Sequence, residues 1–166
     1  MSVAYLGLGS NIGDKESNCN EAVRRLQTAE GIRIITRSRF YQTRSVGGPP
    51  QENYLNGVLK VETEIPPEKF LGVLKDIEKD MGRGTTGARN HPRVIDIDIL
   101  LYGSLVLKTG RLDIPHPRMH ERYFVLRGLA EIAPEVMHPL LGRTAAELYG
   151  QVKGDKEVKG GTGLRQ

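Results

Sequence analysis

An α+β domain with a ferredoxin-like βαββαβ core is what this chain predicts: a mostly antiparallel sheet with helices packed on it, in three layers (α/β/α). Three observations carry that reading. Two stretches have the apolar spacing of amphipathic helices, two β-rich runs lie between them, and an apolar strand-like run stands at each end of the set. A length of 166 residues is one domain's worth and enough to bury a core.

Val3 to Leu8 is short, apolar and bounded by Gly9-Ser10-Asn11, which reads as a buried strand. Ser17 to Glu30 follows as a helix, with Asp14 or Ser17 as its cap and Gly31 as its stop. Cys19 shares a stripe with Ala22, Val23 and Leu26, so the single cysteine is expected to be a buried, inert thiol. The β-branched and aromatic content of Ile32 to Thr43 predicts one long strand, and residues 45–51 a turn-rich loop. Tyr54 to Ile65 alternates as a strand. Pro66 and Pro67 open a helix, where a missing N–H costs little, and Phe70, Val73, Leu74, Ile77 and Met81 mark its core face up to Gly82. Val94 to Tyr102 is a strand, turning at Gly103-Ser104 into a short partner strand near Leu105 to Lys108. A last long helix is expected over Glu121 to Ile132 and a smaller one near Thr144 to Tyr149. The domain is placed at residues 1–150. Residues 151–166, with Gly160, Gly161 and Gly163, are expected to form a flexible tail.

Composition excludes several classes. No apolar run is long enough to cross a membrane, and Met1-Ser2-Val3-Ala4-Tyr5 has no basic stretch ahead of a hydrophobic one, so a cytoplasmic protein with no membrane partner is expected. One cysteine allows neither an internal disulfide nor a zinc cluster. Of the net charge of +4, half comes from the tail, where Lys153, Lys156, Lys159 and Arg165 face only Asp155 and Glu157. The mildly basic body that remains suits an anionic small molecule as well as a polyanion. An RNA-binding sheet would carry interleaved aromatics; with no Trp and three Phe, no nucleic-acid partner is expected.

The chemistry concentrates near Asp96 and Asp98. Residues two apart in a strand share a face, so both carboxylates project together while Ile95, Ile97 and Ile99 point the other way. Two acids on one strand face repel, which a hard cation such as Mg²⁺ would relieve, using one or two carboxylates with water and phosphate as the other ligands. Taken alone, the pair is equally a solvated acidic face. The arginines tip the balance: Arg83, Arg89 and Arg93 precede the strand, and Arg111, Arg118 and Arg122 follow it. Arginine pairs bidentately with phosphate and stays charged. His116, held between Pro115 and Pro117, could hydrogen-bond a phosphate, but no second histidine stands at zinc-ligand spacing. Tyr54 and Asn56 share a strand face, and an aromatic beside an amide can hold a flat heterocycle. Phe124 is a second stacking candidate, because Val125, Leu126, Leu129 and Ala133 already form the helix's core stripe. Residues 7–13 have glycines at G-x-G-x-x-x-G spacing, which is not the dinucleotide fingerprint, and no P-loop is present; the run reads as a tight strand-to-helix turn.

Pro92-Arg93-Val94-Ile95-Asp96-Ile97-Asp98-Ile99-Leu100 resembles the signature of the 6-hydroxymethyl-7,8-dihydropterin pyrophosphokinase family of folate biosynthesis. So do Ala4 to Asn11, Phe40 to Thr43, Tyr54-Leu55-Asn56 and Pro115 to Met119, in the family's order from about Val3 to Pro139. The resemblance implies an enzyme that moves diphosphate from ATP to the pterin hydroxymethyl group and releases AMP. It implies two Mg²⁺ ions on Asp96 and Asp98, with Asp98 the nearest candidate for a general base. The pterin is expected between Tyr54 and Phe124, read by Asn56, with backbone groups near Thr43 and Val46 assisting. Arg83, Arg93, Arg122 and His116 are expected on the phosphates, and Arg89 and Arg111 with the other ATP contacts. Glu78 and Ile99 fall where the family meets the nucleotide. ATP and the pterin are the partners so implied, and no obligate protein partner is evident. Two positions depart from the family pattern. Asn90-His91 stand where a glycine, often after a tryptophan, is usual, and Pro117 stands where some members have an aromatic.

Overall fold

The computed structural model describes residues 1–43, 53–82 and 94–158, with backbone alone at 43 and 154–158. The elements in order are β1 (Ser2–Ser10), α1 (Lys15–Thr28), β2 (Ile32–Arg37), β3 (Tyr41–Thr43), β4 (Tyr54–Thr63), α2 (Pro67–Asp80), β5 (Asp96–Tyr102), β6 (Leu107–Lys108), β7 (Asp113–Ile114), α3 (Tyr123–Ile132) and α4 (Ala145–Val158). The sheet runs β2-β4-β1-β5 with every neighbour antiparallel, and β3 adds to β4. This is the predicted ferredoxin-like arrangement.

Alternation along the strands builds the layers. Ala4, Leu6 and Leu8 of β1 point into a core with Cys19, Ala22, Val23 and Leu26 of α1 and with Phe70, Leu74 and Ile77 of α2. Tyr5, Val58, Leu100 and Leu101 point the other way, where Val125 and Leu129 of α3 cover them together with Ala145 of α4. Successive residues Leu100 and Leu101 reach the same core because the β1–β5 register shifts between Tyr5 and Leu6, the mark of a bulge. Among the described residues no helix is long and apolar enough to cross a membrane. Cys19 is fully buried, and burial pushes its thiol up to about 12, as expected of an inert structural cysteine.

Local chemistry explains the departures from the sequence reading. Ile32 to Thr43 is not one strand. It breaks between β2 and β3, where the Ser38 Oγ accepts the Val58 N–H at 2.9 Å and the Ser38 N–H donates to Val58 O at 2.9 Å. There Phe40 lies over Gly57 so closely that a Cβ on Gly57 would stand 2.6 Å from its ring. The segment near Leu105 to Lys108 does not pair with β5. Instead β6 pairs with β7 in a separate two-stranded sheet, and the His116 N–H donates to Leu100 O at 2.9 Å along the flank of β5. Helix α1 starts at Lys15 because Asp14 caps it, accepting the Ser17 N–H at 3.0 Å. Helix α4 runs to Val158, past Gln151, where the sequence predicts the start of a flexible tail; residues 159–166 lie outside the described residues. The Thr144 Oγ1 accepts the Glu147 N–H at 3.1 Å, and the Glu147 carboxylate accepts the Thr144 N–H at 2.9 Å, a capping box that nucleates it.

The approach of α3 to the sheet gives a first test. A Cβ on Gly128 would stand 2.7 Å from Val58 Cγ2, a methyl on a stiff β-branched side chain in a central strand. Gly128→Ala gains about 1 kcal/mol of helix propensity but loses about 1–3 to overpacking, so the clash wins. A melting temperature about 2–5 °C below the parent is expected in thermal denaturation, and an unchanged or higher one would show that α3 is free to move away.

Candidate active site

Strand alternation also decides what stands beyond the second core. With Ala4, Leu6 and Leu8 turned inward, Gly7 and Gly9 face the side that carries α3. Across the β1–β5 ladder Gly7 lies opposite Asp98 and Gly9 opposite Asp96. Across the β1–β4 ladder Gly9 lies opposite Asn56. Tyr54, two residues earlier, shares the face of Asn56. One sheet face therefore carries an aromatic–amide pair, a glycine floor and a carboxylate pair on three adjacent strands. A Cβ on Gly9 would stand 3.0 Å from Asn56 Oδ1 and 3.5 Å from the Tyr54 ring, so any side chain there would press on both. Glycines at i and i+2 within a strand signal such a close approach. Read in sequence as part of a tight turn, they are a floor.

Beside the carboxylates lies a cleft of about 200 Å³, lined among others by Asp98 and Ile99 of β5, Leu71 and Lys75 of α2, and Arg111 and His116 from the segment after β6. His116 is hung on β5 by its backbone bond to Leu100. Its Nδ1 accepts the Arg118 N–H at 3.2 Å, which leaves Nε2 as the protonated nitrogen. Burial holds the imidazole below its usual range against the pull of Asp98, with Arg122 and Arg118 adding to the depression. A neutral imidazole with one N–H to offer beside a carboxylate and two guanidinium groups is a hydrogen-bond donor for an anion.

Residues 5–134 match the family model of 7,8-dihydro-6-hydroxymethylpterin-pyrophosphokinase (HPPK). The chain belongs to the HPPK family.

Relatives agree. The chain is 44% identical over 152 residues to the 2-amino-4-hydroxy-6-hydroxymethyldihydropteridine pyrophosphokinase of Methylorubrum extorquens, covering 92% of this chain and 94% of that one. To the protein of the same name in Aquifex aeolicus it is 40% identical over 147 residues, covering 89% and 90%. It is also 44% identical over 140 residues to the folic acid synthesis protein FOL1 of Dictyostelium discoideum, covering 84% of this chain but only 21% of that larger protein. Among solved structures, a Plasmodium falciparum HPPK-DHPS chain crystallised with pterin and p-hydroxybenzoate superposes with a TM-score of 0.77 at 18% identity, over 99% of this chain and 45% of that one. At that identity the superposition speaks for the fold, which is the HPPK fold found here.

Set against the HPPK resemblance, the sequence-expected residues fall into three groups, with Glu78 apart from them. Asp96, Asp98, Tyr54 and Asn56 stand on the shared face, Thr43 pairs with Tyr54 across the β3–β4 ladder, and Phe124 packs at the edge of the second core. Ile99, Arg111 and His116 line the cleft with Asp98, and Arg122 caps α3 near His116. Arg111 is also within 3.7 Å of Glu68 in an exposed ion pair. Val46, Arg83, Arg89 and Arg93, with Asn90 and His91, lie outside the described residues. Glu78 is 1% exposed and is not part of the cleft lining; its Oε2 accepts the Ile97 N–H at 2.6 Å, and Oε1 lies 3.4 Å from Lys75 Nζ. Sequence reasoning missed Lys75 and Leu71, for which helical spacing gave no functional signal. Among the described residues no group of three or more His, Cys, Asp or Glu could hold a metal. Two carboxylates over a glycine floor fit a cation that keeps waters and takes its other ligands from phosphate, and do not fit a closed protein cage.

Proposed function

We propose that this chain transfers diphosphate from ATP to 6-hydroxymethyl-7,8-dihydropterin, forming the pterin diphosphate and AMP in folate biosynthesis. The single observation that carries this is the shared sheet face, which sets the Tyr54–Asn56 pair of β4 across the β1 glycines from the Asp96–Asp98 pair of β5. A planar heterocycle held at the first pair extends its hydroxymethyl arm over Gly9 toward the second. Asn56 offers both a donor and an acceptor to the heterocycle edge, while Tyr54 and Phe124 stack on its faces. ATP occupies the cleft, with His116 Nε2–H, Arg111 and Arg122 on its phosphates, joined by Arg83, Arg89 and Arg93. The hydroxymethyl oxygen attacks the β-phosphorus in line, the bond from that phosphorus to the α,β-bridging oxygen breaks, and AMP departs with that oxygen. Asp98 is the candidate acceptor for the hydroxyl proton. Asp96 and Asp98 would hold Mg²⁺, which when bound supplies charge neutralisation to the phosphates and acidifies the hydroxyl.

The test measures AMP formed from ATP and Mg²⁺ with and without hydroxymethyl dihydropterin. Stoichiometric AMP and pterin diphosphate are expected only when the pterin is present. AMP formed equally without it, or none with it, would sink this reading.

A further inference from the structure

Outside the reacting groups, a polar cluster around the buried Tyr41 ring, with Arg39 and Glu131 reaching solvent, ties β3 to α3 beside the proposed pterin slot. Arg127 and Glu131 lie three and seven residues beyond Phe124 on α3, a spacing that puts all three on one helical face. The Arg127 guanidinium carbon sits 4.2 Å from the centroid of the Tyr41 ring. The Tyr41 hydroxyl donates to Glu131 Oε1. Glu131 also accepts the Arg39 backbone N–H, at 3.3 Å and 3.2 Å to its two oxygens, and lies 3.4 Å from Arg39 Nε. Tyr41 and Arg39 belong to the short β3 segment and its approach, and β3 pairs Tyr41 with Asn56 and Thr43 with Tyr54. A three-residue strand that, among the described residues, pairs with β4 has little rigidity of its own.

We infer that Arg127 and Glu131 clamp Tyr41, fixing the spacing between the Tyr54–Asn56 wall and Phe124, and so act as positioning residues for the pterin. The inference rests on the proposed pterin site. Glu131 anchors the chain direction of β3 through Arg39 and its tilt through Tyr41, while Arg127 holds the ring face by a cation–π contact. Burial and the Glu131 carboxylate both push the Tyr41 hydroxyl up from its ordinary value, so it remains a donor to Glu131 at neutral pH. ATP, in the cleft on the far side of β5, meets none of these groups.

The experiment measures KM for pterin and for ATP separately, together with equilibrium pterin binding by its own fluorescence in the presence of a non-hydrolysable ATP analogue. Glu131→Ala is expected to raise pterin KM and Kd about tenfold, and Tyr41→Phe about threefold, with ATP KM changed less than about twofold. The double variant should be no worse than Glu131→Ala, since both break one clamp. Glu131→Gln, which keeps an acceptor for Tyr41 and for the Arg39 N–H, should restore most of the pterin affinity and guards against a variant that fails to fold. Arg33→Ala, which breaks an ion pair with Glu62 at 2.9 Å on the β2 side of the sheet, should move neither constant. Pterin and ATP constants rising together, or neither moving, would overturn the inference alone. A parent protein that does not bind pterin would overturn the proposed function, and this inference with it.

Discussion

Asp96→Ala and Asp98→Ala should each lower turnover by about three orders of magnitude or more while leaving a folded protein. The two halves of that expectation have separate physical grounds. The fold does not rest on these carboxylates: both side chains are half-buried, whereas Ile95, Ile97 and Ile99 between and beside them fill the first core. Removing one of two like charges from a strand face also relieves repulsion, so the melting temperature should stay within a few degrees of the parent. On the proposed function the chemistry does rest on them, because a phosphoryl group bearing several negative charges must be met by cations, which this acid pair is proposed to hold. Asp98→Asn, which keeps the shape and removes the charge, should lose nearly as much, and its residual rate should require more Mg²⁺ to saturate. Near-normal AMP formation by either alanine variant would remove the metal-site argument, and a large fall in melting temperature would show that the acids are structural.

What could be seen in the sequence follows from which signals are local. The Asp96–Asp98 pair was legible because period-two alternation depends only on the strand itself, and the same holds for Tyr54 with Asn56. That the two pairs share one face was not legible, since it depends on the β1–β4 and β1–β5 registers, which residues on three different strands decide together. Gly7 and Gly9 illustrate the difference: in sequence the run from Gly7 to Gly13 suggests a turn, and in register the two glycines are the gap between the two side-chain pairs. The break between β2 and β3 was hidden because Ser38 substitutes a side-chain oxygen for a ladder partner while the run keeps its β-like composition. The sequence suggests β5, the preceding strand, as the partner of β6, whose hydrogen bonds go to β7. Glu131 carried no local mark at all, since its partners are about ninety residues earlier in the chain. The family resemblance supplied the substrates, which no spacing could.

Glu78→Ala should cost both stability and catalysis, and the way the two losses combine decides what Glu78 does. A buried carboxylate is expensive to desolvate, and the compensation here includes the Ile97 N–H at 2.6 Å, with half-exposed Lys75 at 3.4 Å as a weaker, screened contributor. Ile97 stands between Asp96 and Asp98 on the strand at the end of the sheet order, so Glu78 ties α2 to the backbone of that acid pair. Alanine leaves the Ile97 N–H unsatisfied, at about 1–3 kcal/mol, and opens a cavity worth about another 1–2 kcal/mol. The relieved desolvation of the carboxylate offsets part of this, leaving a net loss of about 2–4 kcal/mol. For a chain of this size that is a fall of about 5–15 °C in melting temperature. Turnover should fall about tenfold or more, because tilting β5 by a fraction of an ångström misplaces both acids. Glu78→Gln, whose amide oxygen still accepts the Ile97 N–H, should recover more than half of each loss. If Glu78→Ala instead melts like the parent while KM for ATP rises, Glu78 touches the nucleotide directly and the positioning role fails.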